Sequence, residues 1–160
     1  MTARPADRRT GRVLAVDWGR RRFGVAVSDP SRLIAQPLVT LTRREGQRAP
    51  IAALLDLIRA HDVAELVVGL PLSLEGEEGE AAREVRTFGD ALAARSGLLL
   101  TFRDERLTTS LALRSARAAG VKDRDSRGRI DQLAAVAILQ HFLDAQRTPD
   151  AAGRGPEDPE

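Results

Sequence analysis

The chain has 160 residues, of which 42% are hydrophobic and none is cysteine, and its formal net charge is +2. That suffices for one domain with a buried core and excludes disulfides, thiolate catalysis and cysteine-ligated zinc. No apolar run approaches the roughly 20 residues of a membrane span, and the basic start MTARPADRRTGR has no apolar segment behind it as a secretory signal would, so the sequence reads as cytoplasmic.

The charge is unevenly spread. Lys122 is the only lysine, and residues 1–50 hold eleven arginines against four acids, whereas residues 62–90 hold two against eight. A basic half in a nearly neutral protein permits a nucleic-acid partner. Residues 1–11 and 147–160 are polar or Pro/Gly/acid-rich and read as disordered tails around a domain at 12–146.

Taken in chain order, Arg12 to Asp17 reads as a strand and Phe23 to Ser28 as a second. The Gly-Arg-Arg-Arg turn between them suits an antiparallel hairpin. Leu33 to Leu41 reads as a third strand, bent at Pro37. Pro50 opens a helix whose Ile51, Leu54, Leu55 and Ile58 fall at helical spacing. Glu65 to Leu70 is a short buried strand ended by Pro71. A Gly/Glu-rich loop leads to a helix over Glu80 to Arg95, with a stripe of Ala81, Ala82, Val85, Phe88, Gly89 and Leu92. Leu98 to Phe102 is the fifth strand. Thr108 or Thr109 caps a further helix ending at Gly120, and Asp131 to Ala145 is the last, apolar nearly all round. A meander of three strands followed by βαβ crossovers predicts an α/β fold with a mixed five-stranded sheet and helices on both faces.

Three acids stand at the ends of separate elements. Asp17 closes the first strand before Trp18-Gly19, where it either reaches a metal or simply forms an Asp-x-Gly turn. Gly19 and Gly24 let the hairpin turn sharply or let a phosphate approach the backbone. Asp104 and Glu105 follow the fifth strand directly. Adjacent strand residues point to opposite faces, so only one of them shares a site with Asp17, and the other is a cap or ion-pair partner of Arg106. Asp131 begins the last helix, where an acid also suits the helix dipole. Ala134 and Ala135 are small enough to bring that turn against the sheet, and Arg127 and Arg129 lie just upstream. Convergent acids suit a hard, oxygen-liganded Mg2+ or Mn2+ ion, which could support phosphodiester hydrolysis. Thr108 and Thr109 either cap a helix or contact phosphate. His61, at a helix C-terminus, and His141 read as structural. The chain holds neither a Gly-x-Ser-x-Gly elbow nor a Walker loop.

Four blocks in this order resemble the YqgF family, a bacterial branch of the RNase H-like nucleases related to RuvC. They are Val16-Asp17-Trp18-Gly19 running to Phe23-Gly24-Val25-Ala26-Val27-Ser28-Asp29-Pro30; Val68-Gly69-Leu70-Pro71; Asp104-Glu105-Arg106-Leu107-Thr108-Thr109; and Ile130-Asp131 with Ala134-Ala135 and Ile138-Leu139-Gln140. The resemblance spans about residues 12–146 and implies an RNase H-like fold with Asp17, Glu105 and Asp131 as catalytic and metal-binding residues. It also implies maturation of the 5′ end of pre-16S rRNA, with branched DNA as the alternative substrate. Where the family has Thr then a base after Asp-x-Gly, this chain has Arg20-Arg21-Arg22, which replaces a hydroxyl contact with charge. The expected nucleic-acid contacts are Arg20, Arg21, Arg22, Arg106, Thr108, Thr109, Arg127 and Arg129. The expected partner is structured RNA, and the expected state is a monomer or weak homodimer.

Overall fold

Alternation along the first strand sets the architecture. In β1 (Arg12–Asp17), Leu14 and Val16 enter one apolar cluster and Val13 and Ala15 another, all fully buried. A strand that is apolar on both faces needs cover on both. The computed structural model describes residues 10–44, 46–108, 113 and 124–151. Beyond β1 it holds β2 (Arg22–Ser28), β3 (Ala35–Thr42), α1 (Ile51–Ala60), β4 (Val63–Leu70), α2 (Glu80–Ser96), β5 (Leu99–Asp104), a 3-10 turn (Glu105–Leu107) and a long helix, here α3 (Arg124–Ala151).

The sheet order is β3-β2-β1-β4-β5. The short connections make β1, β2 and β3 antiparallel, and the crossovers through α1 and α2 make β1, β4 and β5 parallel. α1 and α2 cover the face formed by Leu14, Val16, Phe23, Val25, Leu66 and Val68, to which they contribute Leu54, Val85, Phe88 and Leu92. α3 covers Val13, Ala15, Ala26 and Val67 with Ala135, Ile138, Leu139, Phe142 and Leu143. Each large side chain so buried contributes about 1.5–3 kcal/mol. No helix among the described residues is long and apolar enough to cross a membrane.

Several local expectations are corrected. β3 starts at Ala35, because one carboxylate oxygen of Asp29 accepts the N–H groups of Leu33 (2.8 Å) and Ile34 (2.9 Å) and holds that stretch as a loop. The bend at Pro37 is present: Ala26 pairs with Pro37 and Val25 with Val39, so Leu38 is skipped in the register. Gly11, expected in the tail, has φ of +108° and its carbonyl accepts Arg32 Nε at 2.8 Å.

The largest difference is in the last helix. It begins at Arg124, two turns before Asp131, and runs to Ala151, with Arg147 donating to the Leu33 carbonyl at 3.1 Å. Nor is it buried all round, since it lies on one sheet face and leaves Leu133 48% exposed. The expected helix from Thr108 or Thr109 to Gly120 lies outside the described residues, apart from Thr108 and residue 113.

Candidate active site

Asp17 continues the alternation of β1 and so faces α3. It pairs with Gly24 on β2, and one step beyond the Val16–Val68 pair it stands beside Gly69 on β4, which in turn pairs with Arg103 on β5. Residues in such a row share a face. The carboxylate of Asp17 is therefore flanked by two positions without side chains.

Those two gaps are filled by the other acids. A Cβ on Gly24 would lie 1.8 Å from the carbonyl oxygen of Asp131, so only glycine lets this turn of α3 rest on β2. A Cβ on Gly69 would lie 2.9 Å from Oε1 of Glu105 and 2.6 Å from Cδ1 of Ile138. Thus Asp131 sits over one neighbour of Asp17 and Glu105 over the other. Asp17, Glu105 and Asp131 are 2%, 2% and 1% exposed. Gly24 is needed for the approach of a helix, a demand that its sequence position did not show.

Three buried carboxylates on one sheet face are costly to keep charged and need cations or hydrogen bonds around them. One cation is Arg22, whose Nε lies 3.2 Å from Oδ2 of Asp131. The carboxylates are brought to one face without being drawn into a ligand cluster. Among the described residues, no group of three or more His, Asp and Glu side chains is spaced to hold an ion as it stands.

Asp104 and Glu105 divide as the alternation requires. Glu105 turns inward, while Oδ1 of Asp104 accepts the Arg106 N–H at 2.9 Å and its carboxylate takes a forked pair from the guanidinium. The Arg106 side chain, and after it the backbone N–H, holds the Asp104 carboxyl below its ordinary range. Arg106 also donates to the Leu74 carbonyl at 3.1 Å, so its fork ties down the loop after β4. The Thr108 hydroxyl donates to the Glu105 carbonyl at 3.1 Å and closes the 3-10 turn. Thr109 lies outside the described residues.

The remaining arginines divide by exposure. Arg20 and Arg21 are exposed at the hairpin tip, with their carbonyls accepting from Arg43. Arg129 is exposed beside the site. Arg127, one turn before Asp131, is half-buried, and its Nε meets no hydrogen-bond partner among the described residues.

Two features escaped the sequence. Arg103, in the same row as Asp17, lies 2.7 Å from Nδ1 of His141. Counting on by alternation from Phe102 would have placed Arg103 on this face. The second is a groove of about 580 Å3 next to the acids, lined by Arg22, Thr40, Thr42, Arg129 and Gln132 among others. Its signal was the pair of threonines two residues apart on β3, Thr40 and Thr42.

Residues 11–145 match a family model described as RuvX: Holliday junction resolvase. A relative from Roseiflexus sp. (strain RS-1), named "Putative pre-16S rRNA nuclease", is 46% identical over 137 residues, covering 86% of this chain and 96% of its own. One of the same name from Kineococcus radiotolerans is 45% identical over 148 residues, covering 91% and 78%. Among solved structures, Thermus thermophilus RuvC in complex with a Holliday junction substrate superposes with a TM-score of 0.51 at 17% identity, covering 85% of this chain and 95% of RuvC, a likeness of fold alone. With an RNase H-like fold and a family match over nearly all of its described length, this chain belongs to the RuvX family.

Proposed function

We propose that the protein is a cytoplasmic, divalent-metal-dependent endonuclease that hydrolyses phosphodiester bonds in RNA and trims the 5′ end of the 16S rRNA precursor. The observation that carries this reading is the placing of three buried acids on one sheet face, around glycines that leave them room. The donor set fits a hard cation. Asp17, Glu105 and Asp131 offer only oxygen, and would hold Mg2+ or Mn2+. A bound ion would supply an activated water and charge neutralisation at the leaving oxygen.

The chain's own residues do the rest. Helix α3 and β1 fix two of the acids on rigid elements, and the Asp104–Arg106 fork holds the turn that carries the third. Exposed Arg20, Arg21 and Arg129 form a basic rim that attracts and orients the phosphate backbone. The names of the relatives support the choice of RNA.

A second reading, cleavage of branched DNA, is favoured by the family description and by the junction-bound RuvC. Symmetric resolution of a junction needs two sites held at a fixed separation in a stable dimer. We expect a monomer or weak homodimer instead. Initial rates with Mg2+ or Mn2+ on an RNA duplex bearing a single-stranded 5′ extension, against a four-way DNA junction, distinguish the two when solution mass is measured alongside. Faster RNA cleavage is expected, and paired nicks in the junction by a stable dimer, with RNA intact, would reverse the reading.

A further inference from the structure

Arg22 stands where the acid site meets the polar groove. Its Nε is 3.2 Å from Oδ2 of Asp131, a carboxylate only 1% exposed, while the arginine side chain itself keeps 24% exposure. The same arginine lines the groove with Thr40, Thr42, Arg129 and Gln132. One wall of that groove is fastened: the Thr40 hydroxyl donates to the Gly128 carbonyl at 2.8 Å, and Gln132 Nε2 donates to Thr40 Oγ1 at 3.2 Å. These bonds lock the start of α3 to the sheet edge, beside the long, part-exposed Arg22 side chain.

We propose that Arg22 exchanges partners during the working cycle. Without a divalent ion its guanidinium balances Asp131; when an ion takes that carboxylate, the guanidinium turns into the groove and holds a phosphodiester of the nucleic acid beside the cut. The inference rests on the reading of Asp131 as an ion ligand.

The physical reason is competition between like charges. A guanidinium and a divalent ion cannot share one buried carboxylate without repelling each other strongly, because the surrounding protein screens poorly. The guanidinium sits on a flexible, part-exposed stem, whereas Asp131 is fixed by its helix, so the arginine is the group that moves. Its planar fork matches phosphate oxygens, and the groove it enters already carries Arg129 and Thr42. The exchange couples the two ligands. Ion binding makes Arg22 available to phosphate, and phosphate binding removes a competitor from Asp131, by the same factor in each direction.

Calorimetric titration of Mn2+ into the full-length chain without nucleic acid tests the first half. Arg22→Gln should bind Mn2+ about tenfold more tightly than wild type, a size ordinary for coupled sites. Arg22→Lys, which keeps the charge but loses the fork, should fall between them, and it carries the test if Arg22→Gln does not fold. Asp131→Asn should bind far more weakly. The second half uses fluorescence anisotropy of a labelled RNA hairpin with a single-stranded extension. Adding Ca2+ should raise RNA affinity severalfold in wild type and leave Arg22→Gln unchanged. If wild type binds Mn2+ and Asp131→Asn does not, yet Arg22→Gln and Arg22→Lys match wild type, the exchange is wrong and the acid site stands. If Asp131→Asn binds Mn2+ as wild type does, the reading of Asp131 fails and takes the exchange with it.

Discussion

Both faces of the sheet bury large apolar side chains, and they differ at the end of β1. Under α1 and α2 lie Leu14, Val16, Leu54, Leu66 and Leu92, with Trp18, Phe23 and Phe88 packed edge-on or tilted at centroid distances of 4.7–6.1 Å. Under α3, next to Asp17, the sheet and helix meet through Ala15, Ala26, Ala134, Ala135, Gly24 and Gly69. Bulk on the first face provides most of the apolar burial and hence much of the stability. Smallness on the second lets a helix settle close to the sheet and leaves space where three carboxylates can stand. Asp17 and Trp18, adjacent in sequence, thus belong to opposite sides of the sheet.

The contrast is broken most severely at Gly24. In Gly24→Ala the new Cβ would meet a backbone oxygen that belongs to a long helix and cannot step aside. The expected cost is about 3 kcal/mol or more, at the top of the overpacking range, together with loss of activity, and chemical denaturation measures it. Gly89 on the other face is the comparison. A Cβ there would lie 2.5 Å from the ring of Phe102, a side chain that can shift, so Gly89→Ala should cost about 1–3 kcal/mol and spare activity.

Truncating a ring on the α1 and α2 side should leave the acids untouched. Phe88→Ala removes a ring that is 4% exposed and should cost about 3–5 kcal/mol. Below the lowered melting point, Mn2+ affinity and cleavage should stay near wild type, because the acids lie across the sheet. Parallel loss of ion affinity in the folded protein would show that the two faces are not separable.

Effects confined to the surface should be smaller. The Arg20→Ala/Arg21→Ala double variant should leave the melting point unchanged. It should lower the slope of log affinity for RNA against log salt by roughly one unit per lost phosphate contact, or slightly less; an unchanged slope would remove the hairpin tip from the interface.

The smallest expected effect lies in the loop after β2. The Asp29 carboxyl is lowered from 3.8 to about 2, first by the Ile34 N–H, then by the Ser31 hydroxyl, with help from Leu33. A carboxyl lowered in the folded state adds stability that is complete above its ordinary value and is lost as pH falls toward about 2. Amide exchange at Leu33 and Ile34 should therefore accelerate between about pH 4 and pH 2 while exchange in β1 is unaffected. Asp29→Asn should remove that pH dependence.

Much of this organisation was legible in the sequence because strand alternation is a short-range signal. It set Asp17 at the end of the first strand and required Asp104 and Glu105 to part company, although which of the two turned inward came from the family resemblance. The strands and first two helices followed from the same periodicities. The longer-range consequences were not legible. Arg22 read as one of three similar arginines in a turn, and its pairing with Asp131 depends on where α3 crosses β2. The helix itself read as starting at Asp131 because residues 124–129, which are charged, Ser or Gly, carry no apolar stripe to announce it. Gly24 read as a turn residue for the same reason: the atom that demands glycine lies 107 positions away in sequence, on Asp131.

Whether Asp17, Glu105 and Asp131 act as one site is read by measuring cleavage rate and melting temperature together for Asp17→Asn, Glu105→Gln and Asp131→Asn. Each substitution removes a charge at nearly constant volume. If they do, every variant loses cleavage by at least about 100-fold, and Asp17→Asn and Glu105→Gln melt, without metal, at or above the wild-type temperature because repulsion between buried carboxylates is relieved. Near-wild-type turnover in any two of the three would show that they do not.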